Sequence, residues 1–200
     1  MARMARDDRR RQLLEATIEV ILENGLARAS TRDVTRALGV GSGLLHHYFA
    51  SWSEMRAEAV RLAAEREIDD LKGAIRGKPA LEALDYLAEW MVEDDDMRHW
   101  RLWLNAQDEA HRDDHLAEVM NAAIAAWQAL IAALFARLAA EGRLGDREVE
   151  GAAVRLAAVI DGLAGTMLVR GAATSPEMAR DLIKVQIRSE CGLAWSKDAV

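Results

Sequence analysis

Two prolines in 200 residues, Pro79 and Pro176, leave little to stop a helix once it has started. The rest of the chain is rich in Ala, Leu, Glu and Arg, the residues that lose least on entering a helix. No strand-like alternation, internal repeat or low-complexity segment stands out. The fold class is therefore expected to be all-α, and the glycines and capping residues decide where each helix begins and ends.

Read this way, Asp7 or Asp8 caps a first helix with Leu14, Ile18 and Ile21 on one face, stopped by Gly25. Ser30-Thr31-Arg32-Asp33 forms a capping box for a second helix with Val34, Ala37 and Leu38 inward. Gly39-Val40-Gly41 forces a tight turn. Ser42 then caps a very short third helix whose Leu45, Tyr48 and Phe49 face the core. Ser51-Trp52-Ser53-Glu54 opens a long fourth helix over about 53–75, ended by Gly77-Lys78-Pro79. Leu84, Leu87, Ala88 and Met91 line the next helix, before the acidic run Glu93–Asp96. Trp100, Trp103, Leu104 and Gln107 share a face on the one after. A longer helix runs from about Asp114 to Glu141 and breaks at Gly142-Arg143-Leu144-Gly145. Arg147–Arg170 and Pro176–Gly192 complete about nine helices, the last with Ser175 as cap and Pro176 at its first position.

Helix, glycine turn, short helix is the geometry of a helix-turn-helix DNA reader. The charge distribution agrees. The chain carries −7 overall, yet residues 1–52 hold eight arginines against six acids, a balance of +2 on an otherwise acidic body. With Leu45 and Phe49 inward, Gly43, Leu44, His46 and His47 project from the other sides of the short helix, where base edges would be met. Histidine nitrogens can donate to guanine N7 or O6, and leucine can pack on a thymine methyl. Ser42 and Gly43 bring the helix start close to a phosphate. Arg9, Arg10, Arg11, Thr31, Arg32 and Tyr48 are expected to hold phosphates and so fix register.

The segment Thr31-Arg32-Asp33-Val34-Thr35-Arg36-Ala37-Leu38-Gly39-Val40-Gly41-Ser42-Gly43-Leu44-Leu45-His46-His47-Tyr48-Phe49-Ala50-Ser51 resembles the DNA-binding segment of the TetR family of bacterial repressors. The resemblance covers residues 9–60. Gly41, Leu44, His46 and Trp52 depart from it, standing where the family pattern commonly has Ser, Thr, Tyr and Lys. Two phosphate-contacting side chains go with them, so operator sequence and affinity do not carry over. The body resembles the betaine/choline-regulator (BetI-type) branch through its Trp-rich middle and Ile160-Asp161-Gly162-Leu163.

In the body, Trp90, Trp100, Trp103 and Trp127 with Met91, Met97, Met120 and Met167 could simply be core. The resemblance implies that the corresponding helices enclose an inducer pocket, to which Leu104 and Gln107 would contribute. Asp161, inside the apolar stretch Val159–Leu168, then reads either as a structurally paired carboxylate or as a fixture for a cation, with tryptophan faces attracting the same charge. His111 and His115, near Asp108 and Asp114, have metal-ligand spacing, and Asp96 and His99 or Asp108 and His111 faintly follow a di-iron pattern. Arg112-Asp113-Asp114 reads instead as a solvated break, so no metal is expected. No cofactor is expected either, nor an enzyme, since no phosphate loop, nucleophile elbow or dinucleotide fingerprint is present.

Leu156, Gly162 and Gly165 on the penultimate helix, with Met178, Leu182 and Ile183 on the last, are expected to form a four-helix interface across a two-fold axis. The lone Cys191 excludes an internal disulfide and a cysteine zinc site. No apolar run reaches the roughly 18 residues of a membrane span and the Arg-rich start has no signal-peptide core, so a cytoplasmic chain is expected. The expectation is a DNA-binding head over 1–52 and a ligand-binding and dimerisation body over 53–200. It describes a sequence-specific regulator binding double-stranded operator DNA as a homodimer, a repressor released by a small-molecule inducer of unknown identity. A regulator without an inducer, and a helical ligand carrier or enzyme, are the alternatives.

Overall fold

The computed structural model describes residues 2–93, 97–144 and 148–193, the side chains of 2–5 and of Ser42 excepted. The expected Gly145, Arg147, the acidic run through Asp96 and the side-chain role of Ser42 therefore lie outside the described residues. The described residues form eight α-helices, one short 3-10 helix and no strand. They are α1 (Ala2–Asn24), α2 (Thr31–Leu38), the 3-10 helix (Ser42–His47), α3 (Trp52–Ala74), α4 (Ala80–Trp90), α5 (Arg98–Ala110), α6 (Asp114–Ala140), α7 (Val149–Met167) and α8 (Pro176–Glu190).

Several boundaries follow from the residues named above. Gly25, at φ +79°, takes the left-handed conformation that ends α1, and its N–H returns to Ile21 O at 2.8 Å. Asp33 closes the start of α2 by accepting from the Ser30 N–H at 3.1 Å and its hydroxyl at 2.5 Å. The Ser30 hydroxyl holds the Asp33 carboxyl below its ordinary range, with Arg36 adding to the effect. At α8, Ser175 Oγ accepts from Met178 N–H at 3.2 Å and Pro176 occupies the first turn.

Other expectations are corrected. The first helix begins at Ala2, so Asp7 and Asp8 lie within it and cap nothing; the upstream Ala and Arg are themselves strong helix formers. Ala37 is exposed and Leu38 and Tyr48 are half-buried, because only Val34 and Thr35 of α2 are deeply covered. α6 holds an 18-residue stretch apolar enough to cross a membrane by composition alone, contrary to the expectation that no run qualifies. Its alanines supply the apolar length, while its large side chains at Leu116, Met120, Ile131, Leu134, Phe135 and Leu138 are buried within the protein.

The chain divides into two compact units. One comprises Met1–Glu67 and Arg101–Ala123, the other Ile68–Trp100 and Ile124–Val200. α3 continues unbroken from the first unit into the second, and α5 from Arg101 with the start of α6 packs with the N-terminal helices. In the first unit Leu13, Ile21, Leu26, Val34, Phe49, Met55 and Leu116 are almost completely buried. In the second, Leu84, Leu87, Phe135, Leu138, Leu156 and Ile183 form the core.

Candidate functional site

The head is built by α1, α2 and the 3-10 helix. Gly39, at φ +65°, ends α2 and donates to Arg36 O, which turns the chain directly into the next segment. Leu45 and Phe49 anchor that segment with 3% and 4% of their surface exposed. Gly43, His46 and His47 stay exposed, and Leu44 and Tyr48 are half-buried. Of the four residues expected to face outward, Gly43, His46 and His47 are exposed and Leu44 is covered in part. The helix is short and of 3-10 type, its turns closed by bonds such as Tyr48 N–H to Leu45 O at 3.0 Å.

The start of α3 fixes the far end of this segment. Glu54 N–H donates to Ser51 Oγ at 3.0 Å, and the Glu54 carboxylate accepts from Ala50 N–H at 2.6 Å, one residue earlier than an ordinary capping box. Arg10 donates to Glu58 and lies 4.8 Å over the Phe49 ring, so it braces this segment from behind. Arg9 contacts Gln12, whereas Arg11 and Arg32 are exposed and Thr31 is half-buried.

Asp113 was not legible in the sequence as anything but a solvated break. It is 7% exposed and accepts from Ser53 Oγ at 2.8 and 2.9 Å and from Arg56 Nε at 2.9 Å and Nη2 at 2.5 Å. It also caps α6 through the His115 and Leu116 N–H groups at 3.0 and 3.2 Å. Burial alone would raise its carboxyl; hydrogen bonds from Arg56, Ser53 and Leu116 outweigh burial and hold it below the ordinary range. Sequence spacing could not join residues 57 apart, although Asp before a helix was a capping signal.

In the second unit the aromatic residues converge. Trp90 lies 5.9 Å from Trp127 and 5.8 Å from His99, and His99 lies 5.0 Å from Trp100, all with tilted rings. Trp100 is buried and its indole N–H donates to Met91 O at 2.9 Å, while Trp90, His99 and Trp127 are half-buried. Asp161 and Met167 belong to the same unit; Asp161 is half-buried and engaged in a polar contact. The remaining expected ligand residues, Trp103, Leu104, Gln107 and Met120, belong to the first unit. Trp103 is buried there, its indole N–H meeting no acceptor among the described residues. No group of three metal-ligating side chains occurs among the described residues.

The last two helices divide their surfaces. On α8, Lys184 reaches Glu89 at 2.6 Å, Arg188 grips Asp85 through two bonds of 2.7 Å, and Glu190 takes two from Arg155 of α7 at 2.8 and 2.7 Å. The large apolar side chains left exposed among the described residues are Val154, Val169, Met178, Leu182, Val185 and Leu193, all on or beside α7 and α8. Leu156 and Ile183, expected in a dimer interface, are instead 0% and 1% exposed and are core of the single chain. Their helical spacing marks them as apolar without saying which covering face they meet. Gly162 and Gly165 have open space where a Cβ would stand, so they serve no close approach within the chain.

Among the described residues, helices with a braced, outward-facing short helix after a glycine turn have the arrangement of a helix-turn-helix DNA reader. Residues 13–59 match the bacterial regulatory proteins of the tetR family, and residues 80–192 match the C-terminal region of BetI-type transcriptional repressors. The chain belongs to the TetR family, with a BetI-type C-terminal region; it is a DNA-binding transcriptional regulator and not an enzyme. It is 27% identical over 188 residues to the HTH-type transcriptional regulator PksA of Bacillus subtilis, covering 92% of this chain and 91% of that one. It is also 27% identical over 188 residues to BetI of Agrobacterium fabrum, covering 90% and 89%. A transcriptional regulator from Saccharomonospora viridis, solved in complex with choline, shares the fold at a TM-score of 0.83 and 24% identity over 91% of this chain and 96% of that one.

Proposed function

We propose that this regulator is a homodimeric repressor whose head, residues 1–52, reads operator DNA and whose body, residues 53–200, binds a cationic small molecule that releases it. Gly43, Leu44, His46 and His47 meet base edges in the major groove, with Thr31, Arg32, Tyr48 and Arg11 on phosphates and Ser42 at the start of the reading helix. Arg10 acts in this scheme by bracing Phe49. The two heads span half-sites roughly 34–36 Å apart, and α7 and α8 pair the protomers through the exposed Met178, Leu182, Val154 and Val185 and the open Gly162 and Gly165.

The observation that carries the ligand reading is the pair of half-buried tryptophans, Trp90 and Trp127, 5.9 Å apart with tilted rings beside His99 and Trp100. Half-buried indole faces attract a quaternary ammonium group by about 0.5–2 kcal/mol each. Asp161 supplies a carboxylate on α7 in the same unit. The choline complex of the Saccharomonospora viridis relative supports the same ligand chemistry. A ligand releases DNA only by its different affinity for two arrangements of the protein. The unbroken α3 is the covalent route between body and head.

Calorimetric titration of choline into the wild type and into Trp127→Leu tests this. The wild type gives measurable heat at millimolar choline, and Trp127→Leu binds choline more weakly while a neutral isostere of choline is affected less. Absence of heat and of any thermal shift retires the cationic ligand and favours a regulator with an apolar inducer or none.

A further inference from the structure

We propose that Asp113 is a positioning residue for DNA reading: it locks the first turn of α3, and with it the reading segment 42–48, onto the corner between α5 and α6. The inference rests on the assignment of that segment to base recognition.

The carboxylate is joined to α3 at two points. Ser53 Oγ reaches both its oxygens, and Arg56 donates through Nε and Nη2. It is joined to α6 at two more, the N–H groups of His115 and Leu116. Glu109, near the end of α5, stands 3.7 Å from the same Arg56 guanidinium, so all three helices meet at one ion cluster. The side chains of Asp113, Arg56 and Glu109 are only 4%, 15% and 16% exposed. An exposed pair would leave two long side chains free to wander; a buried carboxylate with its bonds satisfied in fixed directions sets a register.

The placement gives that register its consequence. Ser53 and Arg56 flank Glu54, whose carboxylate holds Ala50 N–H at the exit of the reading segment. One residue before Ala50 is Phe49, the buried anchor of that segment. Rotation of the first turn of α3 therefore moves Glu54, Ala50 and the reading helix together. The opposite flank is held by Arg101, which donates to Leu22 O at 3.0 Å and so ties α5 to the end of α1.

The test compares two affinities in the full-length protein: that for a duplex selected by the wild type from a random-sequence pool, and that for an unselected duplex. Arg56→Met with Asp113→Leu removes the buried pair together, while Glu109 keeps Arg112 at 3.7 Å as its partner, so no charge is left buried alone. A merely structural role predicts a change in melting temperature and no change in the ratio of the two affinities. The positioning role predicts that the folded double variant keeps its affinity for the unselected duplex and loses about ten-fold or more for the selected one, the scale of one spoiled base contact. Ser53→Ala, which keeps the ion pair and hence the fold, loses about three-fold, as removal of one ordinary hydrogen bond would. A wild-type ratio in both variants overturns the proposal. A wild type that enriches no sequence from the pool overturns the base-reading assignment itself, and this inference falls with it.

Discussion

Replacing Leu182 by glutamate is expected to separate the two protomers without unfolding either. Leu182 is 44% exposed on α8, while its neighbour Ile183 is 1% exposed and points into the core. Burying a whole leucine side chain contributes about 1.5–3 kcal/mol, so covering the exposed share adds about 1 kcal/mol per protomer and about 2 kcal/mol per symmetric pair. Losing that alone weakens the dimer roughly thirty-fold, at about 1.4 kcal/mol per decade. Glutamate adds the cost of placing a carboxylate against apolar surface in each copy, several kcal/mol more unless partnered. The dimer dissociation constant should rise by about a thousand-fold or more. Sedimentation velocity at micromolar concentration should then show monomer with an unchanged helical spectrum, and binding to the selected duplex should fall with it. Leu182→Ala, keeping the surface neutral, should weaken the dimer by about ten-fold. A Leu182→Glu protein that stays dimeric at sub-micromolar concentration refutes the placement of the interface on this face.

Other outcomes are equally specific. Arg11→Ala should lower the log–log salt slope of DNA binding by about 0.9 for its one phosphate, whereas Arg10→Ala, losing Glu58 and the Phe49 ring, should show mainly as a lower melting temperature. Gly39→Ala should destabilise the protein by about 1 kcal/mol in chemical denaturation, purely through the left-handed backbone, since no atom stands within 4 Å of its missing Cβ. The Asp113 carboxyl is held below its ordinary range, so its stabilisation is fully present above the unfolded value of about 3.9 and is lost as the pH falls through the lower folded one. Asp113→Asn should accordingly be less stable than the wild type at neutral pH, and the gap should close below about pH 4; a constant gap across that range would locate the acid dependence elsewhere.

What was legible in the sequence was local. Ser30 with Asp33, Ser175 with Pro176 and the stop at Gly25 are interactions within a turn, and the short segment from Ser42 betrayed its buried side through Leu45 and Phe49. What escaped was set by partners far along the chain. The bond of Arg10 to Glu58, 48 residues on, had no signal in the sequence, where Arg10 reads as a phosphate ligand. The ionic fastening of α8 to α4 joins residues 95 and 103 positions apart, which no periodicity foretells. Leu156 and Ile183 share the apolar spacing of Met178 and Leu182. Helical period marks a residue as covered but not by what, so core and pairing surface read alike. α6 misled in the other direction, because alanines carry it past the composition of a membrane span while its large side chains Leu116, Phe135 and Leu138 are buried within the protein.

The reading segment closes on i to i+3 bonds, Leu44 N–H to Gly41 O at 3.1 Å among them, and among the described residues it is seated by Leu45 and by Phe49 just beyond it. Such a turn has a shallow well. Its amide protons should exchange with solvent far faster than those of Leu13 or Ile21 in α1, and should slow only when a duplex lies across them. Selectivity in this protein is then partly a matter of thermodynamic signature: each sequence tried against the segment asks it to settle, and the best sequence should show the largest ordering penalty in entropy together with the largest gain in heat released.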